Sequence, residues 1–447
     1  MEKWLSDLLP IMDVEHDCIL SKQGDISIVF KVALQEVFTQ SDDNYEALHQ
    51  GFIKAIKVLP KETVFHKQDY FVQSKYEPGT TNHSSFLSQS SDQFFEGRPY
   101  LKHDCYITLT KKPVDRKISS SVFSSLLRPT IVPGQTISRN ALQEFEDCAG
   151  QFARILSDAA VQLERLKTKD IISHKNKVGL IERYCTLSEK PDHLLVKDLQ
   201  LKDKLVIGDQ HCQLYTLADV TDLPSLCGSR INYDKYSTDR TKFSIGFAST
   251  LGLLLPCNHV YNQYIFIGDA GKTMKKLESK RLRLQSLAAY SRENAIARDA
   301  VGDFLNECVS EQRLPVKAHF NILVWTDKPD ELKDIKNLVT SGLAQMEAAV
   351  KLETAGAAQI WWAGIPGNAA DFPANDCFDT FAEQACCFLN LETNYQDSDS
   401  EIGIRLGDRL TGKPVHTDIS DEPIKKGICT NRNKFILGPS PCRAILN

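Results

Sequence analysis

Ile26-Ser27-Ile28-Val29-Phe30-Lys31-Val32-Ala33-Leu34 decides the fold class, because the period changes directly after it. Ile26, Ile28, Phe30, Val32 and Leu34 alternate with Ser27, Lys31 and Ala33, the two-residue repeat of a half-buried strand. Ser41 or Asp42 then stands where a helix cap belongs. Tyr45, Leu48, Phe52, Ile56 and Leu59 recur at helical spacing until Pro60 stops the run. A strand passing into an amphipathic helix points to an α/β chain with some α+β character.

Working outward, 16–20 reads as a strand joined to the first through the turn Lys22-Gln23-Gly24-Asp25. Further strands are expected at 63–72 and at 100–110, the latter with Cys105, Ile107 and Leu109 on one face, and a short helix at 88–95. The segment 119–134, rich in serine and holding Pro129 and Pro133, reads as a loop. Leu142, Phe145, Ala149, Phe152 and Leu156, continued by Ala160 and Leu163, predict one long helix. In the second half, strands are expected at 205–215, 243–250, 261–267, 316–324, 402–406 and 434–437. Helices are expected at 272–308 with a break near Ser291, at 329–350 and at 378–389, and 390–401 reads as a polar loop.

At 447 residues the chain exceeds one ordinary core, since a domain takes roughly 150 residues. Two mixed sheet-and-helix domains are expected, 1–225 and 226–425, with 426–447 opening a third. Hydrophobic residues at 42% and charged residues at 25% fit a soluble globular chain, and a net charge of −5 argues against wholesale coating of DNA or an anionic membrane. The start carries acids and the short run Leu8-Leu9-Pro10-Ile11-Met12, too short for a signal peptide, and no stretch approaches the ~18 apolar residues of a spanning helix. A cytoplasmic chain is expected. Its 13 cysteines form no CxxC pair, so buried thiols are the simplest reading; His211-Cys212 is a weak zinc candidate without a second ligand pair.

The chemistry-bearing residues lie at two places. Lys434-Phe435-Ile436-Leu437 leads into Gly438-Pro439-Ser440, the way a phosphate loop begins. Such a loop needs G-x-x-x-x-G-K-[S/T], whose backbone N–H groups, lysine and hydroxyl hold phosphates and Mg²⁺. Here the last three of those positions are Arg443, Ala444 and Ile445, and Pro441 removes a donor. No ATP is expected at Gly438, Pro439 and Ser440. The second place is Gly268-Asp269-Ala270-Gly271-Lys272-Thr273, where Phe266 takes the position of the first glycine. A tight turn capping a helix is the simpler reading, a nucleotide site the alternative. The helix it opens carries Lys272, Lys275, Lys276, Lys280, Arg281 and Arg283 against Glu278 alone, a solvated face or a contact for nucleic acid or an acidic partner. Trp361 and Trp362 precede Ile365-Pro366-Gly367-Asn368, which suits a type II turn, and buried packing is expected of both. No nucleophile elbow, H-E-x-x-H or paired-carboxylate motif occurs, and no catalytic or metal residue is assigned.

Several stretches resemble TraG-type ATPases of Bacteroidetes conjugative transposons, within the VirB/TrbE/CagE class of type IV secretion ATPases. They are Val14 through Lys22, Ala55 through Pro60, His66-Lys67-Gln68-Asp69, Asn262 through Ile267, Ala363 through Ala369, Asp408 through Pro414 and Thr430 through Ser440. The resemblance implies an α/β region preceding a RecA-like motor. It also implies work in conjugative DNA transfer at the cytoplasmic base of a secretion channel, peripheral at the inner membrane, as an oligomer bound to inner-membrane and cytoplasmic channel components. ATP and Mg are cofactors of full-length relatives. The family continues after Ser440 with Gly, Ser, Gly, Lys and Ser, where this chain has Pro441-Cys442-Arg443-Ala444-Ile445-Leu446-Asn447. The expectation is therefore a docking and assembly region cut off within the Walker A loop, inactive as an ATPase and without a cofactor of its own.

Overall fold

The structure, a computed structural model, describes residues 4–78, 86–113, 139–175, 177–190, 198–202, 204–349 and 351–435. The expected loop at 119–134 and the phosphate-loop residues Gly438, Pro439 and Ser440 lie outside them. The chain divides into two compact units, Met1–Gln73 with Leu101–Asn394, and Ser74–Tyr100 with Tyr395–Asn447.

In the first unit, thirteen strands among the described residues join one sheet. Its principal strands are β1 (Ile11–Glu15), β2 (Cys18–Ser21), β3 (Ile26–Ala33), β4 (Thr63–Lys75), β5 (Pro99–Lys111), β6 (Gln162–Arg165), β7 (Leu205–Ile207), β8 (Gln210–Leu217), β9 (His259–Ile267) and β10 (Pro315–Thr326). They run in the order β1-β2-β3-β5-β4-β9-β10-β8-β7, with β6 on β3. The pairs β3–β5, β4–β9, β9–β10 and β10–β8 are all antiparallel. The α+β side of the expected fold class is thus the side that dominates the sheet.

Helices cover both faces. On one, α1 (Asp42–Val58) and α2 (Arg139–Asp158) lay Tyr45, Phe52, Phe145 and Phe152 over Ile28, Phe30, Tyr261 and Phe320. On the other, α3 (Leu180–Thr186) sets Ile181 and Tyr184 beside Val29, Val260 and Leu323. Burial on both sides explains why β9 and β10 are almost continuously buried rather than alternating. The helix α1 starts where expected, with the Ser41 hydroxyl accepting the Asn44 N–H.

The expected domain boundary near 225 falls inside this unit, since β8 and β9 lie on either side of it and both pair with β10. Residues 224–239 are an excursion within one domain, carrying the strand Arg230–Asn232 that pairs Ser244–Gly246. The long helix also stops earlier than its apolar stripe. Ala160 takes φ 61, Ala160 N–H donates to Ser157 and Val161 N–H to Leu156, which closes the helix. Leu163 then pairs with Val32 in the sheet. Residues 205–215 form a hairpin turning at Gly208 instead of one strand. Phe378–Phe381 is a strand on β10 ahead of the short helix Ala382–Cys387. The polar stretch starting at Asn390 begins in the core, with Asn390 and Glu392 fully buried.

The second unit holds the helix Phe86–Phe95, the hairpin Ile404–Gly407 with Pro414–Thr417, and the helical turn Glu422–Lys425. Arg405 Nε lies 3.0 Å from Asp92 Oδ1, and the Tyr76 hydroxyl donates to the same carboxylate at 2.9 Å. Asp408 accepts the Leu410 and Thr411 N–H groups, which folds Asp408 to Pro414 into the hairpin turn with Gly412 at φ 74. Lys434 and Phe435 have no strand structure.

Candidate functional site

The glycine-lysine turn at 268–273 opens helix α4 (Ala270–Leu287). Its cap is Asp269, whose carboxylate accepts the Lys272 N–H at 3.1 Å and meets Lys61 Nζ at 3.0 Å. That carboxylate occupies the position a phosphate would need at the helix N-terminus, and it is negative. The hydrogen bonds from Lys61 and from the helix backbone hold the Asp269 carboxyl below its ordinary range, so the charge stays in place. With that carboxylate at the helix start, the turn does not fit a triphosphate.

Beyond the turn, α4 packs against α5 (Arg292–Ser310), and Ser291 caps the second helix at the expected break. On α4 only Leu277 and Leu284 are buried. Lys272, Lys275, Lys276, Lys280 and Arg283 are exposed and have no ion-pair partner among the described residues, while Arg281 is held by Glu278 at 2.6 Å. The basic face expected from sequence is exposed, and its five lysine and arginine side chains stay unpaired among the described residues.

A second polar constellation is buried. In β4, His66, Lys67, Gln68 and Asp69 are all 0% exposed. The Asp69 carboxylate pairs with the Lys67 ammonium and accepts hydrogen bonds from Gln263 Nε2 at 2.6 Å and Asn390 Nδ2 at 3.1 Å. His103 Nε2 lies 2.9 Å from it, and His103 Nδ1 lies 2.8 Å from the Thr393 hydroxyl. Burial works to raise the Asp69 carboxyl, but Lys67 and His103 outweigh it and hold it well below the carboxylate range. Alternate residues reach the other face, where Gln68 Nε2 donates to Asn262 Oδ1 and to the Gly364 carbonyl, and Asn262 donates to Asn321. Burial pushes His66 down to about 3. The chain Asp69–His103–Thr393 has the order of an acid, a base and a hydroxyl, yet every member is enclosed, so its chemistry is to satisfy charge within the sheet. Sequence reasoning met these residues only as a family mark; alternation along β4 was the signal that they share two faces.

The Trp361-Trp362 pair lies in the helix α6 (Ala357–Ala363), with both rings buried. The Asn368 N–H donates to the Ile365 carbonyl at 2.8 Å and Gly367 sits at φ 90, as a type II turn requires. An added Cβ at Gly367 would meet Ile19 Cγ2 at 2.7 Å. The turn therefore locks α6 against β2.

One cleft, of about 460 Å³, is lined by Lys31, Lys102, Asp104, Asp170, Lys177 and Arg183 among others. Several of its charges pair with one another, Arg183 to Asp104 at 3.0 Å and Lys102 to Glu189 at 2.9 Å. His211 and Cys212 stand on adjacent positions of β8, and among the described residues no group of three His, Cys, Asp or Glu is placed to hold a metal. No helix among them is long and apolar enough to cross a membrane.

Comparison with family models gives two matches. Residues 403–444 match the TraG P-loop domain, beginning in the hairpin of the second unit. Residues 2–50 match a family described as a domain of unknown function named from a B. Theta gene, DUF3875, and covering β1 to β3 and the start of α1. A search of curated proteins returns no match. The two matches, at opposite ends of the chain, support its likeness to TraG-type conjugation proteins.

Proposed function

We propose that this chain serves as the docking and assembly region of a conjugation ATPase of the TraG type, acting in type IV secretion and the transfer of conjugative transposon DNA. The observation that supports it is the fate of the glycine-lysine turn, where Asp269 and Lys61 fill the place of a phosphate. In this reading no ATP or Mg²⁺ is held by these residues, and Gly438, Pro439 and Ser440 do not suffice for a cradle. The chain works peripherally at the inner membrane, as an oligomer against inner-membrane and cytoplasmic channel components. A second reading, nucleic acid on the exposed face Lys272 to Arg283, is favoured by the unneutralised charge there and is separated by a gel shift at low salt.

Crosslinking in conjugating cells tests the docking reading. The expected result is recovery of the chain with other channel proteins and a fall in mating frequency when its gene is deleted. Unaltered mating after deletion, with no channel protein recovered, would overturn it.

A further inference from the structure

The tip joining α4 to α5 exposes what a solvated helix pair ordinarily hides. Leu287 is 42% exposed and Tyr290 85%, with Leu282 at 54% and Ile296 at 60% nearby. The tip is ordered by its own backbone, with the Tyr290 N–H on the Leu287 carbonyl at 3.0 Å and Asn294 Nδ2 on the same oxygen at 3.3 Å. Exposed Arg283 and Arg292 flank it. Along α4, Lys272, Lys276, Arg283 and Leu287 follow helical spacing on one stripe, roughly a quarter turn around the helix from buried Leu277 and Leu284.

We infer that this stripe and tip form a contact surface for an anionic lipid bilayer. The inference rests on the proposed inner-membrane placement and names the surface that carries it. Charge complementarity selects the occupant: the chain as a whole has net charge −5, so its unpaired cations on α4 are a segregated patch that an anionic surface attracts while it repels the remainder. Apolar side chains interleaved with cations suit a headgroup layer, where aliphatic groups leave water and tyrosine sits at the polar boundary. A nucleic acid would use the cations but would leave Leu282, Leu287 and Ile296 in water, and no row of aromatic rings is present for bases to stack on.

Co-sedimentation of the 447-residue chain with vesicles tests this. Binding is expected to phosphatidylcholine mixed with phosphatidylglycerol, to weaken steeply with salt, and to be absent on phosphatidylcholine alone. Each cation near such a surface multiplies affinity about fivefold, so Lys272→Ser, Lys276→Ser and Arg283→Ser together should lower it on the order of 100-fold. Leu287→Ser with Tyr290→Ser should lower it about tenfold. Both variants should keep the parent unfolding midpoint, as surface changes do. Equal binding to neutral and anionic vesicles would overturn the inference. So would duplex DNA binding without vesicle binding, or a change of oligomeric state in the tip variant without vesicle binding. Failure here leaves recovery with channel proteins untouched, whereas lost recovery with intact vesicle binding would overturn the docking reading alone.

Discussion

Two stretches of this chain are dense in charge and polarity, and they end in opposite surroundings. His66-Lys67-Gln68-Asp69 crosses the middle of the sheet fully buried, each side chain bonded to a neighbour. Lys272 to Arg283 lies on an outer helix, with five cations that meet no acid among the described residues. The first stretch specifies how strands β4, β5 and β9 fit together. The second contributes nothing to the fold that a neutral helix would not, and its charge is available to something outside the chain. Composition alone does not separate them; the partners do.

The largest test of the contrast is removal of Asp69. Asp69→Ala leaves the Lys67 ammonium buried and unpaired, and should destabilise by about 3–5 kcal/mol in urea unfolding. A loss under half a kilocalorie would mean that water reaches the seam. Replacing the pair together, Lys67→Met with Asp69→Leu, should recover most of the loss of the single change, because no lone charge remains.

Acid should act through the same region. Asp69 is depressed, so its contribution is present above the unfolded carboxylate value near 4 and is lost as pH falls through its lower folded value. Burial lowers His66 to about 3, His259 to about 4 and His319 to about 3. The unfolded chain takes up protons at these positions below about pH 6.5 while the folded chain does not, so stability falls as pH drops from there toward about 4. A flat unfolding midpoint between pH 7 and 5 would contradict the burial of these rings.

Gly367→Ala should cost about 1–3 kcal/mol, since it forces positive φ on alanine and presses on Ile19. Smaller still is Asp269→Ala, which removes a cap and an exposed pair; a slight drop in midpoint is expected, and no gain of ATP binding. Smallest of all, charge-to-serine changes at Lys272, Lys276 and Arg283 should leave the unfolding midpoint where it is. A large loss there would place those cations in the fold and erase the distinction.

Local chemistry made part of this legible. The Ser41 cap, the alternation through Ile28 and Phe30, the break at Ser291 and the turn at Gly367 all follow from side chains acting on their own backbone. What was not legible depends on distant partners. Ala160 ends a helix in a conformation usually left to glycine, so no residue type announced the stop before Leu163 joined β3. Phe378 to Phe381 continue a helical spacing but are claimed by the edge of β10. Glu392 and Asn390, in an apparently polar loop, are core residues because Ser249, Tyr45 and Asp69 await them. The seam itself was visible as letters, and only the crossing strands turned it into a network.

Titration of the chain with ATP and Mg²⁺ in a calorimeter bears most directly on the central claim, that its glycine-lysine turn is a capped helix start and its charge serves docking. No heat of binding at millimolar nucleotide is the predicted result. Magnesium-dependent binding that Lys272→Ala abolishes would contradict it.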